Sequence, residues 1–240
     1  MTDLADAAVP APSGWQDATV VSVRAETARA RTFRLRPAEP FEHLAGQHVV
    51  IRLTAPDGYV ASRSYSLASP PDGSGEVEIT VERLPDGEVS SFLHDEVVPG
   101  DVLEVRGPIG GWFVWRGDTP AVLVGGGSGV VPLMAMLRLA RRLGRTDLLR
   151  LVVSVRTPSD LYYADELVGP ETTVVHSREA PTGSPRSPGR LAAADLPEVP
   201  DDATVFVCGS NGFCDAVTDL VGATGVPAER IRVERFGATG

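Results

Sequence analysis

The sequence contains no lysine, so its 22 basic side chains other than histidine are all arginine. This absence excludes two kinds of active site that need a lysine amine: the P-loop that binds nucleotide phosphates, and Schiff-base catalysis. A phosphate ligand would have to be bound by arginine, whose planar guanidinium forms paired hydrogen bonds with phosphate oxygens.

Cysteine is scarce, since Cys208 and Cys214 are the only two. Two thiolates are too few to hold an iron–sulfur cluster, so any such cluster is expected in a separate chain. Two cysteines without a secretory signal are typical of a reducing, cytoplasmic compartment. The four histidines lack the spacing of metal ligands, and no metal site is predicted.

Long apolar runs and net positive charge are also missing. No run approaches the length of a membrane-spanning helix, and the formal net charge of −10 disfavours non-specific binding to nucleic acid. Residues 1–14 have neither the basic nor the apolar region of a signal peptide, and they are predicted to form a disordered tail. The remaining residues, in a chain that is 42% hydrophobic, suffice for two domains. The oligomeric state stays open.

Residues 15–116 show short alternating runs separated by Pro, Gly and Asp clusters, which predicts an antiparallel β-barrel. One helix is expected within it, over 89–97. The predicted strands are 18–25, 32–36, 48–53, 61–69, 76–83 and 102–106.

Residues 117–240 change to continuous apolar runs alternating with helical patterns, which predicts a doubly wound parallel sheet. A ligand of such a sheet binds beyond the carboxyl ends of the strands. Residues 160–166 resemble a short capped helix, and 179–189 is expected to be a mobile loop. The predicted strands are 121–124, 149–155, 172–176 and 204–208, with helices over 133–143 and 215–221.

Three stretches of the sequence have side chains or backbone suited to a dinucleotide. Residues 63–66, Arg-Ser-Tyr-Ser, combine a cation for phosphate, an aromatic ring for stacking and hydroxyls for ring nitrogens. Residues 87–90, Gly-Glu-Val-Ser, begin a helix, whose free N–H groups attract phosphate; a plain helix cap explains them equally well. Residues 125–129, Gly-Gly-Gly-Ser-Gly, allow close approach of a ligand to bare backbone, or simply form a tight turn.

These stretches, together with Cys208-Gly209 and the ending Glu234-Arg235-Phe236-Gly237, occur in the order found in the ferredoxin-NADP reductase family. The chain resembles that family from about Trp15 to its end. The resemblance implies an N-terminal flavin barrel and a C-terminal nucleotide domain. It further implies that hydride passes from nicotinamide C4 of NAD(P)H to N5 of bound FAD, and that single electrons then leave to a separate acceptor.

The resemblance also implies roles for individual residues. Ser66, Cys208 and Glu234 would act at the reacting rings, with Cys208 positioning nicotinamide without acting as a nucleophile. FAD would be bound by Arg63, Ser64, Tyr65, Ser66, Thr80, Val81, Gly87, Glu88, Val89, Ser90 and Phe236. NAD(P)H would be bound by Gly126, Gly127, Ser128, Gly129, Arg156, Ser177, Arg178, Cys208 and Gly209.

Three points stay open in the sequence. Residues 237–240 extend past the aromatic on which other members end, so Phe236 either covers the flavin ring or leaves it open. Arg156 and Arg178, with Arg186 and Arg190 nearby, favour NADPH over NADH, although solvated surface arginines would look the same. The acceptor is a ferredoxin, an oxygenase, a haem protein or a molybdenum enzyme. Alternative functions are a reductase that releases reduced flavin, a flavin-binding subunit active only within a larger redox complex, and a redox-inert nucleotide-binding module.

Overall fold

A computed structural model of the chain describes residues 9–10 and 13–237. The predicted disordered tail therefore lies largely outside the described residues, as do residues 238–240. Ser13, the first residue of the continuous part, is bound to the barrel, because its N–H and its hydroxyl both donate to the Gly107 carbonyl oxygen.

The N-terminal part is a six-stranded antiparallel sheet in the order β4-β3-β6-β1-β2-β5. An isolated bridge between Leu67 and Ile79 joins the two edge strands and closes the sheet into a barrel. Buried Phe33 and Leu35 alternate with exposed Arg34 and Arg36, so β2 turns an apolar face to the barrel core. The strands are β1 Gln16–Ala25, β2 Ala30–Pro37, β3 His48–Thr54, β4 Val60–Ser66, β5 Val77–Glu82 and β6 Val102–Ile109; helix α1, Glu88–Asp95, lies between β5 and β6.

The C-terminal part is a five-stranded parallel sheet in the order β11-β10-β7-β8-β9. Helix α2 packs on one face of this sheet and helix α3 on the other. The two-domain fold class predicted from the sequence is confirmed. The elements are β7 Ala121–Gly126, α2 Val130–Leu143, β8 Leu149–Val155, β9 Thr172–His176, β10 Thr204–Gly209, α3 Asn211–Ala223 and β11 Ile231–Arg235.

The helix predicted over 160–166 is wrong. A 3₁₀ turn, Pro158–Asp160, is followed by hydrogen-bonded turns through residue 168. Tyr163 interrupts any helix because its φ is +55°, which is costly for a side chain other than glycine. Its contacts with the barrel, described below, hold it in that conformation.

One apolar cluster is shared by the two domains. The buried cluster around α2 includes Ala45, Ala68, Phe113 and Trp115 from the barrel side. Gly46 is needed at this contact, because its φ is +103° and a Cβ there would lie 1.9 Å from the Phe113 carbonyl oxygen and 2.8 Å from Met136 Cε of α2. Helix α2 therefore packs against the barrel domain as well as against the sheet of its own domain.

Within residues 9–10 and 13–237, no helix combines the length and the apolar character that crossing a lipid bilayer requires.

Candidate functional site

The order of the parallel strands locates a crevice at the carboxyl ends of β7 and β10. The chain continues from β7 toward β8 on one side of the sheet and from β10 toward β11 on the other, so these neighbours flank the point where strand order reverses. Ligands of doubly wound sheets bind at this position. The glycine run after β7 and the Cys208-Gly209 pair of β10 meet there, since Gly125 lies opposite Cys208 in the sheet.

Packing explains three of the four glycines in the run. A Cβ at Gly125 would lie 2.9 Å from Leu133 Cδ1, and one at Gly126 would lie 2.7 Å from the Phe213 ring. A Cβ at Gly129 would lie 2.1 Å from the Cys208 carbonyl oxygen, which is backbone and cannot move aside cheaply. At these three positions glycine is required by neighbouring protein atoms, whether or not a ligand binds.

Gly127 is different, because a Cβ there would meet nothing within 4 Å. Its φ of +55° favours glycine, and it begins a 3₁₀ turn, Gly127–Gly129, that leads into α2. Bare backbone next to open space at a strand end fits the close approach of a nucleotide phosphate. The side chain of Ser128 is half-buried in the same turn.

Cys208 and Glu234 lie opposite each other on the adjacent parallel strands β10 and β11. Burial raises the pKa of the Glu234 carboxyl group to about 7. Burial, and next the Glu234 carboxylate, raise the pKa of the Cys208 thiol well above its usual value. The thiol is therefore neutral at physiological pH and is not poised as a nucleophile.

Glu234 Oε2 is buried and has no hydrogen-bond partner among the described residues. A buried polar atom without a partner is costly, so this oxygen suits a donor supplied by a ligand. Phe236, two residues further along the chain, is half-buried against the core around α2, and its N–H donates to the Gly209 carbonyl oxygen at 2.8 Å. The structure thus brings Cys208, Gly209, Glu234 and Phe236 together at the carboxyl ends of β10 and β11.

Arg156 and Arg178 are neighbours at the carboxyl ends of β8 and β9. The Arg178 N–H donates to the Arg156 carbonyl oxygen at 2.9 Å, and both side chains are exposed. In the part of the chain that the structure describes, neither guanidinium has a hydrogen-bond or ion-pair partner. Both, with the half-buried Ser177 between β9 and Arg178, are free to bind an anionic ligand.

Arg186, which the sequence offered as a further candidate, is not free. Its Nε lies 2.6 Å from Asp195 Oδ1, and it donates to the carbonyl oxygens of Ser187, Gly189 and Arg190. These bonds hold the segment after β9 together, and that segment contains no helix or strand between His176 and Ala193. Arg186 has a structural role here, which its sequence context did not indicate.

On the barrel, β4 presents the predicted flavin residues. Tyr65 pairs with buried Val49 and Ser64 with Val50 of β3, so successive side chains alternate between the two faces of the strand. Tyr65 is half-buried against the barrel core, and Ser66 is buried. The guanidinium of Arg63 is exposed, and its charge opposes the rise that burial causes in the pKa of Tyr65.

The start of α1 lies beside the start of β4, because the Tyr59 hydroxyl donates to Glu88 Oε2 at 3.0 Å. A Cβ at Gly87 would lie 2.3 Å from Ser90 Oγ, so the turn before the helix closes tightly only with glycine. Ser90 Oγ accepts from the Leu84 N–H and donates to the Gly87 carbonyl oxygen. The backbone N–H groups of the first helical turn are thus the donors that α1 offers to an anion.

Three other predicted flavin residues have side chains engaged inside the protein. Val81 and Val89 belong to the barrel core. The Thr80 hydroxyl is hydrogen-bonded to the hydroxyls of Thr32 and Tyr163. Any contact of these three residues with a flavin would therefore be made by their backbone, and their role stays a prediction.

The sequence analysis missed Phe213, in the first turn of α3. Its ring packs on Gly126 and Gly209, where it takes the space that two side chains would fill. The available signal was an aromatic residue one helical turn after a strand that ends in glycine.

The comparisons with known proteins agree with this division into two sites. The family model described as the oxidoreductase FAD-binding domain matches residues 17–114, and the oxidoreductase NAD-binding domain matches residues 123–219. Ferredoxin--NADP reductase B of Sorangium cellulosum is 32% identical over 244 residues, covering 89% of this chain and 99% of that protein.

Longer proteins are also similar. The glycine betaine monooxygenase reductase subunit of Chromohalobacter salexigens is 35% identical over 244 residues; the match covers 95% of this chain but only 66% of that subunit. Among solved structures, the FAD/NAD-binding domain of nitric oxide dioxygenase from Vibrio cholerae is 26% identical with a TM-score of 0.84, covering 93% of this chain and 99% of that one.

Proposed function

Because the chain belongs to the ferredoxin-NADP reductase family, we propose that it is an FAD-containing oxidoreductase that oxidises NAD(P)H and passes electrons singly to a separate acceptor. The observation that carries this proposal is the meeting of Cys208, Glu234 and Phe236 at the strand-end crevice. In our proposal residues 15–116 form the FAD domain and residues 117–240 the nucleotide domain.

The barrel residues fit FAD. The guanidinium of Arg63 and the N–H groups at the start of α1 lie on the same side of the barrel and suit its two phosphates. Tyr65 offers a ring for stacking, and Ser66 a hydroxyl for a ring nitrogen. When bound, FAD would supply the redox chemistry of accepting a hydride and passing its two electrons on one at a time.

The nucleotide domain contributes positioning. The backbone at Gly127 and the following turn, including Ser128, would bind the coenzyme phosphates. The neutral Cys208 thiol and the Glu234 carboxyl group would orient nicotinamide, with Glu234 Oε2 accepting a hydrogen bond that the described protein atoms do not provide. Phe236 would lie beside the flavin and exclude water from it.

NADPH is the proposed donor in preference to NADH. Arg156 and Arg178 are adjacent, exposed and without partners among the described residues, as a 2′-phosphate site requires.

The acceptor is proposed to be a separate redox protein, such as a ferredoxin or an oxygenase. The name of the C. salexigens relative, a monooxygenase reductase subunit, favours the oxygenase. Within these 240 residues, both cysteines are buried in the nucleotide domain, which supports transfer to a partner that carries its own metal centre. Two unpaired thiols also support a cytoplasmic location.

The proposal is tested by the visible absorption spectrum of the purified protein, recorded anaerobically before and after addition of NADPH and, separately, NADH. A flavin spectrum that bleaches, fastest with NADPH, is the expected result. A flavin spectrum unchanged by both nucleotides would contradict the proposed donor. A protein that stays colourless after reconstitution with FAD would overturn the flavin assignment.

A further inference from the structure

The ring of Phe213 lies flat on the backbone at the mouth of the crevice. Three of its atoms, Cγ, Cδ1 and Cδ2, lie 2.7–2.8 Å from the position that a Cβ of Gly126 would take. Its Cδ1 lies 2.7 Å from the corresponding position at Gly209. Since Gly126 and Gly209 are the last residues of β7 and β10, the ring bridges the ends of both strands.

The Phe213 ring is held in place by packing on the face of the sheet that carries α3. Phe213 belongs to the first turn of α3 and packs against the apolar cluster between that helix and the sheet. A side chain at Gly126 or at Gly209 would displace the Phe213 ring, so glycine at both positions leaves the space that the ring occupies. Phe213 is nevertheless only half-buried, so part of this residue stays accessible beside the ends of β7 and β10.

An accessible aromatic residue packed on Gly126, next in sequence to Gly127, has the right chemistry for the uncharged part of a dinucleotide. Phosphates suit the N–H groups of the turn, whereas a sugar face or a nicotinamide ring gains from contact with an apolar ring. We propose that Phe213 is a coenzyme-contact residue whose ring forms the wall of the crevice for the sugar–nicotinamide end of NAD(P)H. This inference rests on the proposed function.

The test is calorimetric titration of NADP⁺ into the FAD-loaded protein, which measures binding without turnover. Truncation in Phe213→Ala should raise the dissociation constant about 10-fold, and Phe213→Leu, which keeps part of the contact, about 3-fold. Leu220→Ala is the matched control, because Leu220 is also half-buried on α3 but lies two turns further along the helix. It should leave the dissociation constant unchanged.

A double variant separates the ring from the glycine. Gly126→Ala should weaken NADP⁺ binding in the wild-type background, because the new methyl group pushes the ring out of position. In the Phe213→Ala background the same change should have little further effect. Equal losses in both backgrounds would show that the coenzyme itself occupies the face of Gly126, and would overturn the inference.

The remaining outcomes are also decisive. Binding within 2-fold of wild type in Phe213→Ala, or tighter binding, would overturn the inference, the second because it would mean that the ring obstructs the coenzyme. If Phe213→Ala does not fold, Phe213→Leu decides in the same way. Wild-type flavin that NADPH reduces, combined with a negative Phe213 result, rejects this inference alone. A wild-type protein that binds neither NADP⁺ nor NAD⁺ rejects it together with the proposed donor.

Discussion

Glu234 carries a carboxyl group whose protonation changes near neutral pH. Its pKa is raised by burial, from 4.5 to about 7, because the charged form loses water and gains no hydrogen bond at Oε2 from the described residues. Between these two pH values the folded protein holds a proton that the unfolded chain has released. Stability is therefore full below about pH 4.5 and falls as the pH rises toward 7.

The first prediction concerns this pH dependence. Relative to Glu234→Gln, the wild-type protein should lose about 2 kcal/mol of unfolding free energy between pH 5.5 and 8. Urea unfolding of both proteins at several pH values in this range measures the difference. A constant difference across the range would show that Glu234 titrates normally.

The second prediction concerns the two buried cysteines, which lie on opposite faces of the parallel sheet. Cys208→Ala should retain FAD but slow its reduction by NADPH about 10-fold or more, because nicotinamide loses a positioning contact. Cys214→Ala removes an equally buried thiol from the face that carries α3, and should leave the rate nearly unchanged. Stopped-flow absorbance measures both rates, and an unaltered rate in Cys208→Ala would contradict a positioning role.

The turn from β7 into α2 combines two kinds of glycine. Gly129 is confined by the backbone of β10, whereas Gly127 faces open space in a left-handed conformation. Glycine at 129 is needed so that β10 and the start of α2 can approach each other. Glycine at 127 is needed because the chain takes a positive φ there as it turns from β7 into α2. Only the second leaves room for a ligand.

The third prediction follows from this difference. Gly129→Ala should cost about 2–3 kcal/mol of unfolding free energy, because β10 must shift to admit the methyl group. Gly127→Ala should cost only about 1 kcal/mol, from its positive φ. Urea unfolding gives both values, and NADP⁺ titration should show weaker binding in Gly127→Ala despite its smaller loss of stability. Equal losses of stability would contradict the assignment.

The two domains are joined by a polar network centred on Arg138 of α2. Its guanidinium lies 2.8 Å from Glu78 of β5 and 2.8 Å from Glu166 of its own domain, and it donates to the Ala68 carbonyl oxygen. It also lies 5.1 Å from the centre of the Tyr163 ring. The Tyr163 hydroxyl reaches Thr80 of the barrel, and its N–H reaches Glu26 at 2.9 Å.

The fourth prediction tests this network. Arg138→Leu should lower the unfolding free energy by about 2 kcal/mol, because Glu78 and Glu166 then lose the cation that lies between them. The loss stays below that of a fully buried pair, since the Glu166 side chain is 30% exposed. Arg142→Leu, on an exposed position of the same helix, should change it by less than about 0.5 kcal/mol.

Calorimetric unfolding of Arg138→Leu and Arg142→Leu measures the change in unfolding free energy of each variant. If Arg138 also holds the domains in register, its loss should broaden or split the melting transition. Equal stability of Arg138→Leu and Arg142→Leu would show that the network contributes nothing.

Most strands could be predicted because each follows from a local pattern, such as Phe33 and Leu35 alternating with arginines in β2. The residues that meet at the crevice also follow from local motifs at strand ends. The conformation of Tyr163 and the partners of Arg138 could not be predicted, because they depend on residues far away in the sequence. Tyr163 is bonded to Thr80, 83 positions earlier, and Arg138 to Glu78, 60 positions earlier. The ion pair of Arg186 with Asp195 could not be predicted either, since nothing in the sequence near Arg186 indicated that partner.

The core shared through α2 has a consequence for protein engineering. Ala45, Ala68 and the bare backbone of Gly46 form the surface on which α2 rests, so small residues on the barrel are matched to large ones on the helix. A chimera that joins this barrel to the nucleotide domain of another family member would bring unmatched side chains together along that surface. Grafting a different coenzyme specificity onto this chain is therefore best done at the strand ends, with helix α2 kept as the native partner of the barrel.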